Sequence, residues 1–242
     1  MFIHKIKSLA FLAMFSALAV PTRAEILVKS GEKVAFLGDS ITQAGWGSPT
    51  GYVKLVASGL KANGVDIEVI PAGISGHKSN DMLKRLEKDV LEKKPQWMSL
   101  SCGVNDVWHG AKGVPLEDYK KNITEIVDKA RAADVKVLML TATVIHENLD
   151  SPENQKLEPY NAFLRDLAKE RKLPTADLNA MFQERLKAAN TPDKKVLTSD
   201  GVHMNPAGDR VMAEGILRAF GLDDSQIKKA QEAWDQQQQP AK

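Results

Sequence analysis

The 242-residue chain has a single cysteine, Cys102. That excludes an intramolecular disulfide and any metal cluster built from thiolates. It also lacks a surplus of charge, with 33 Lys and Arg against 31 Asp and Glu, a net charge of +2. An electrostatic nucleic-acid binder needs a basic excess, so none is implied. The five histidines are dispersed without a His-x-x-x-His pair, and no metal or other cofactor is implied. There is no internal repeat and no interdomain linker. What is present is 43% hydrophobic residues, too many for a disordered chain and sufficient for one packed domain.

Lys5 and Lys7 precede an uncharged stretch over 8–20, and Pro21, Thr22, Arg23 and Ala24 follow, ending in a small residue. This is the layout of a secretory signal cleaved after Ala24. A membrane anchor is the alternative, but the 13-residue stretch is shorter than the ~20 residues that span a bilayer. No cysteine near the junction could carry a lipid. The expected organisation is a signal over 1–24, a domain over 25–222 and a polar tail over 223–242, whose glutamine run at 236–239 is expected to fray. The expected location is secreted or periplasmic, with no stable membrane association after cleavage. Cleavage removes Lys5, Lys7 and Arg23 and no acid, leaving a net charge of −1.

Beyond the leader, short apolar runs alternate with segments of helical period. Residues 33–37, 67–70, 97–100, 135–140 and 175–178 read as strands. Met82, Leu83, Leu86, Val90 and Leu91 mark one helical face. Leu116, Tyr119, Ile123, Val127 and Ala130 mark another, entered through Pro115. Tyr160, Phe163, Leu164 and Leu167 mark a third. A last helix has Asn205 as cap and Pro206 in its first turn, then presents Val211, Met212 and Ile216. The segments 151–158 and 191–198 read as polar connections. Such alternation implies a parallel sheet covered on both faces, with ligands bound at the carboxyl ends of its strands.

The strand-end loops are where polar residues and glycines gather. Gly38, Asp39 and Ser40 follow the first strand; Pro71, Ala72 and Gly73 follow the second. Gly103, Asn105 and Asp106 follow the third, and Asp200 and His203 stand before the last helix. These four segments, in this order across residues 33–220, resemble the SGNH hydrolases, also called the GDSL esterase/lipase family. The resemblance implies a three-layer α/β/α fold, a flavodoxin-like doubly wound parallel sheet of five strands. It implies Ser40 as nucleophile, His203 as general base and Asp200 as the residue orienting His203. The oxyanion hole would be the backbone N–H groups of Ser40 and Gly73 with the side-chain amide of Asn105. In the second block the family's usual asparagine is replaced by Pro71, which offers no side-chain donor.

Those residue types suit that chemistry. A serine hydroxyl is nearly inert until a base takes its proton, and histidine titrates near working pH. An acid three residues before a histidine can fold back onto its ring and aim the other nitrogen outward. An oxyanion needs fixed donors; a glycine lets a backbone N–H approach, and asparagine donates without adding charge. Each residue also has a plainer reading. Ser40 could be a helix N-cap, Asp200 and His203 could cap the last helix, and Asn105 and Asp106 could be turn formers. Asp106 is expected to buttress the loop that aims Asn105, and Asp39 to hold its own turn.

Trp46 and Trp108 are candidate substrate contacts at the rim, where an indole face can take a sugar ring; the alternative for each is the core. His77 and His109 lie near motif loops as rim histidines, and His146 lies after the fourth strand with no assigned role. Cys102 reads as a small buried side chain, not a nucleophile. The leading expectation is a serine O-acetylesterase acting on acylated carbohydrates or a related small ester. A lipase, lysophospholipase or thioesterase of the same fold is the second expectation. A non-catalytic carbohydrate-binding protein is the third.

Overall fold

A computed structural model describes residues 25–190 and 195–237. The expected signal over 1–24 and the last residues of the polar tail lie outside them. Strands β1 (Lys33–Gly38), β2 (Glu68–Gly73), β3 (Trp97–Ser101), β4 (Lys136–Leu140) and β5 (Thr175–Ala176) form one sheet in the order β2-β1-β3-β4-β5. All pairings are parallel, and Gly38 stands beside Gly73 at the carboxyl edge. This is the doubly wound order expected, with its switch point between β1 and β3. β3 is buried along its length and β1 at every residue after Lys33, as strands covered on both faces must be. β2 is an edge strand with Pro71 exposed, and an edge tolerates the missing N–H.

Helices α1 (Ser40–Gly47), α2 (Tyr52–Ala62), α3 (Ser79–Asp89), α4 (Val104–Trp108) and α5 (Leu116–Ala132) follow the first three strands. After β4 come α6 (Pro152–Arg171), α7 (Leu178–Ala189), α8 (Pro206–Ala219) and α9 (Asp224–Gln237). Packing of α2 with α8 and α9, and of α3 with α5 and α5 with α6, makes the outer layers.

Two expectations are corrected. Residues 152–158 are not a connection but the first turns of α6. Ser151 Oγ accepts the Asn154 N–H at 3.2 Å and Pro152 takes the first turn, a start signal that outweighs the polarity of an exposed face. Residues 238 and 239 of the run expected to fray lie outside the described residues, whereas residues 224–237 of the polar tail pack against the domain. They form α9, which buries Ile227, Ala230 and Trp234, and the Trp234 indole N–H donates to the Leu55 carbonyl at 2.9 Å. Three apolar residues at helical spacing are enough when a neighbouring helix offers a surface.

Gly51 has no side chain to cap α2, and α8 supplies the cap instead. The Tyr52 N–H donates to Asp209 Oδ1 at 2.9 Å. Burial raises the Asp209 carboxyl from 3.8 to about 6, against the opposing pull of the Tyr52 N–H. The folded state therefore holds a proton that the unfolded chain releases near pH 4, and stability falls as pH rises from about 4 to about 6. Asp209→Asn keeps the acceptor oxygen and removes the charge. Its stability relative to the parent should improve by up to about 3 kcal/mol between pH 4 and pH 8. Denaturant midpoints at both pH values check this, and a pH-independent difference contradicts it.

Candidate active site

The site lies on the switch point between β1 and β3. At the end of β1, Asp39 is buried and its Oδ1 accepts the Ile41 N–H at 2.9 Å. Asp39 thus caps α1, and Ser40 becomes its first helical residue. The capping role that Ser40 could have filled belongs to its neighbour. The Ser40 N–H is one of the helix's leading donors, which have no partner within the helix. Burial, with the Asp106 charge adding to it, raises the Asp39 carboxyl to about 6.

The Ser40 hydroxyl meets the loop before α8. Ser40 Oγ lies 2.8 Å from His203 Nε2, and His203 Nδ1 donates to Asp200 Oδ2 at 2.6 Å. Asp200 Oδ1 accepts the N–H groups of Val202 at 2.9 Å and His203 at 2.8 Å, closing a tight turn. Burial pushes the Asp200 carboxyl up, but the His203 ring and these two N–H groups outweigh it and hold it at about 2. That favours the ionised form of Asp200 at neutral pH. Helix α8 is capped by Asn205, whose Oδ1 accepts from Ala207 and Gly208, so the turn is not needed for capping. A hydroxyl bonded to an imidazole that an ionised carboxylate holds from behind can lose its proton as it attacks a carbonyl.

Gly73 ends β2 directly against α1, where an added Cβ would stand 2.3 Å from the Gln43 nitrogen. Only glycine permits that approach, which brings the end of β2 beside the first turn of the serine helix. Asn105 rides on α4. Its Nδ2 donates to the His77 carbonyl at 3.1 Å and more loosely to Asp39 Oδ2 at 3.4 Å, while His109 Nε2 lies 3.2 Å from its Oδ1. The amide is thus held from both ends. Asp106 buttresses the same helix as expected: its Oδ1 accepts the Ser79 N–H at 3.0 Å and the Ser79 hydroxyl at 2.6 Å. The Cys102 thiol donates to Asp106 Oδ2 at 3.4 Å, and burial together with that charge raises it well above its ordinary value. A thiol kept protonated is no nucleophile.

His77 and Arg85 form part of this support. The Arg85 guanidinium, only 9% exposed, donates to the carbonyls of Gly38 and Ala72 at 2.8 Å each and to His77 Nδ1 at 3.0 Å. Burial and the adjacent Arg85 charge lower the His77 pKa, leaving Nδ1 free to accept. Arg85 so clamps the last residues of β1 and β2. Glu147 does the same for the loop before His203. Its Oε1 accepts from Leu197 N, Thr198 N and Thr198 Oγ1 at 2.7–2.8 Å, and its Oε2 from Val196 N at 2.6 Å. Neither residue belongs to a motif, and nothing in the linear pattern marks them.

Trp46 and Trp108 are both exposed, at 38% and 40%. Trp46 lies six residues along α1 from Ser40, about 9 Å down the axis, with the Lys54 ammonium 5.6 Å from its ring centre. Trp108 ends α4, one turn from Asn105, and its ring lies 5.3 Å from that of His146.

A doubly wound parallel sheet with these side chains over its switch point defines a serine esterase, a carboxylic ester hydrolase. More particularly, the chain belongs to the GDSL-like lipase/acylhydrolase family, whose sequence pattern matches residues 36–211. It is 32% identical over 215 residues to an acetylxylan esterase of Geobacillus stearothermophilus, covering 81% of this chain and 97% of the relative. The crystal structure of that enzyme superposes with a TM-score of 0.72 at 31% identity, covering 81% of this chain and 97% of the other. A second solved acetyl xylan esterase, AlAXEase, matches at 34% identity with a TM-score of 0.72, over 77% of this chain and 98% of the other. An isoamyl acetate-hydrolyzing esterase of Saccharomyces cerevisiae is 23% identical over 78% of this chain and 86% of its own length.

Proposed function

We propose that this protein is an exported O-acetylesterase of acylated carbohydrates. Ser40 Oγ attacks the ester carbonyl as His203 Nε2 takes its proton. The N–H groups of Ser40 and Gly73 and the Asn105 amide hold the oxyanion. His203 returns the proton to the departing alcohol, leaving an acetyl-serine. Water, deprotonated by the same imidazole, attacks this ester and releases acetate, restoring Ser40.

The hydrogen-bonded series from Ser40 through His203 to Asp200 carries the catalytic part of the reading. Its openness favours a bulky alcohol: the side chains of His203 and Asp200 are 42% and 53% exposed, so the alcohol half of an ester is not enclosed. Two of the relatives named above are acetylxylan esterases and a third cleaves an acetate ester, which supports acetyl as the acyl group. Trp108, and Trp46 further out, are the aromatic faces we assign to the carbohydrate. Export rests on the leader over 1–24. Among the described residues no helix is long and apolar enough to cross a membrane.

Incubation with a panel of acetylated glycans, with acetate measured, tests the reading. We expect acetate release from at least one of them and rates on simple esters that fall with acyl length. Rates that rise beyond about eight acyl carbons, each methylene adding binding energy in an apolar channel, reject it in favour of a lipase or thioesterase.

A further inference from the structure

We infer that His146 and Trp108 together form the subsite for the sugar of the departing alcohol. This inference rests on the carbohydrate reading above and identifies where the sugar binds. In the proposed mechanism the alcohol oxygen receives its proton from His203 Nε2, so the sugar must extend over the surface beside the 200–203 turn. Two residues from different elements stand on that side. His146, in the loop after β4, donates its backbone N–H to the Gly201 carbonyl at 2.8 Å. Its ring lies on Gly201 so closely that an added Cβ there would come within 2.8 Å of His146 Nδ1. Trp108, reaching across from the helix that carries Asn105, sets its ring 5.3 Å from the imidazole at an interplanar angle of 52°. The two rings join the oxyanion side of the site to the acid–base side, and both residues are exposed.

The backbone fixes the ring in place. His146 is left-handed, with φ at 63°, a conformation that costs a non-glycine residue energy and persists only where its surroundings enforce it. They do so from both sides. Asn154 accepts the Ile145 N–H at 2.9 Å and donates to the carbonyls of His146 at 3.2 Å and Asn148 at 2.8 Å. Glu147, the next residue, is held by the N–H groups of 196–198. A solvent-facing ring on a loop held by these hydrogen bonds suits a recognition surface, because little has to be ordered on binding. The apolar ring faces suit the C–H face of a pyranose, and the indole and imidazole nitrogens suit its hydroxyls.

The test compares two acetate esters, an acetylated xylo-oligosaccharide and ethyl acetate. The alcohol of ethyl acetate has no ring to stack on the platform. The variants are Trp108→Ala, Trp108→Phe and His146→Gly, the last of which removes the ring while leaving a residue at ease at positive φ. The quantity read is kcat/KM for the oligosaccharide divided by kcat/KM for ethyl acetate. We expect Trp108→Ala and His146→Gly each to lower this ratio by about fivefold to tenfold, chiefly through KM for the oligosaccharide, and Trp108→Phe to restore most of it. A ratio equal to that of the parent enzyme in both ring-deleting variants overturns the subsite, whatever happens to the absolute rates. Turnover of ethyl acetate by the parent enzyme with no release from any glycan overturns the carbohydrate reading itself, a different result from the first.

Discussion

Replacing Ser40 by alanine is expected to lower kcat on any ester by roughly 10⁵- to 10⁶-fold, the scale seen when a triad nucleophile is removed. Two features make this test clean. The cap of α1 is Asp39 and not Ser40, so losing the hydroxyl does not unpin the helix. The hydroxyl's partner is His203 Nε2, so the deletion removes the atom proposed to attack and leaves the site's supports in place. Thermal unfolding should hardly move, and the trace of remaining activity should come from oxyanion stabilisation and substrate positioning. Acetate release measured beside a thermal melt checks both. An alanine variant that retains even a hundredth of the parent rate would show that the attacking group lies elsewhere.

Asn105→Ala should cost about 10²- to 10³-fold in kcat, or roughly 3–4 kcal/mol, with KM little changed. The asymmetry follows from where charge develops. The carbonyl oxygen of a bound ester asks little of the amide, whereas the oxyanion of the tetrahedral intermediate demands it. The Asn105 amide is already oriented in the free protein, with the His77 carbonyl at 3.1 Å on its nitrogen and His109 Nε2 at 3.2 Å from its oxygen. When charge appears, only the loose 3.4 Å contact of its second N–H with Asp39 Oδ2 has to give way. Initial-rate kinetics separate kcat from KM, and a variant that loses affinity instead of turnover assigns Asn105 to substrate binding.

Much of the frame was readable in advance because strands and turns are local. Val34 to Leu37 and Val137 to Leu140 are uninterrupted apolar runs, and a short run bounded by turn residues suits a strand buried on both faces. Asn205 followed by Pro206 announces α8 with one cap and one fixed φ. The misreadings have different causes, a distant partner for the tail and a local start signal outweighed by polarity for α6. Residues 224–237 look like tail until α2 provides the surface on which Ile227 and Trp234 pack. The start of α6 looks like loop because its first turns face solvent.

The same division runs through the site. Ser40, Gly73, Asn105, Asp200 and His203 could be nominated from sequence because each stands in a short motif at the end of an element, and a motif is a local object. Arg85 and Glu147 could not, since an arginine in a helix and a glutamate in a polar loop acquire meaning only from the carbonyls and N–H groups they meet. Which residue types crowd the carboxyl edge of the sheet is a property of the chain order, set by apolar runs and the turns between them. That Ser40 and His203, 163 residues apart, come within 2.8 Å, that Glu147 grips the 196–198 backbone and that His146 is held left-handed beside Gly201 were decided by tertiary structure alone. Loops distant in sequence become neighbours only after the sheet has set the order of its strands.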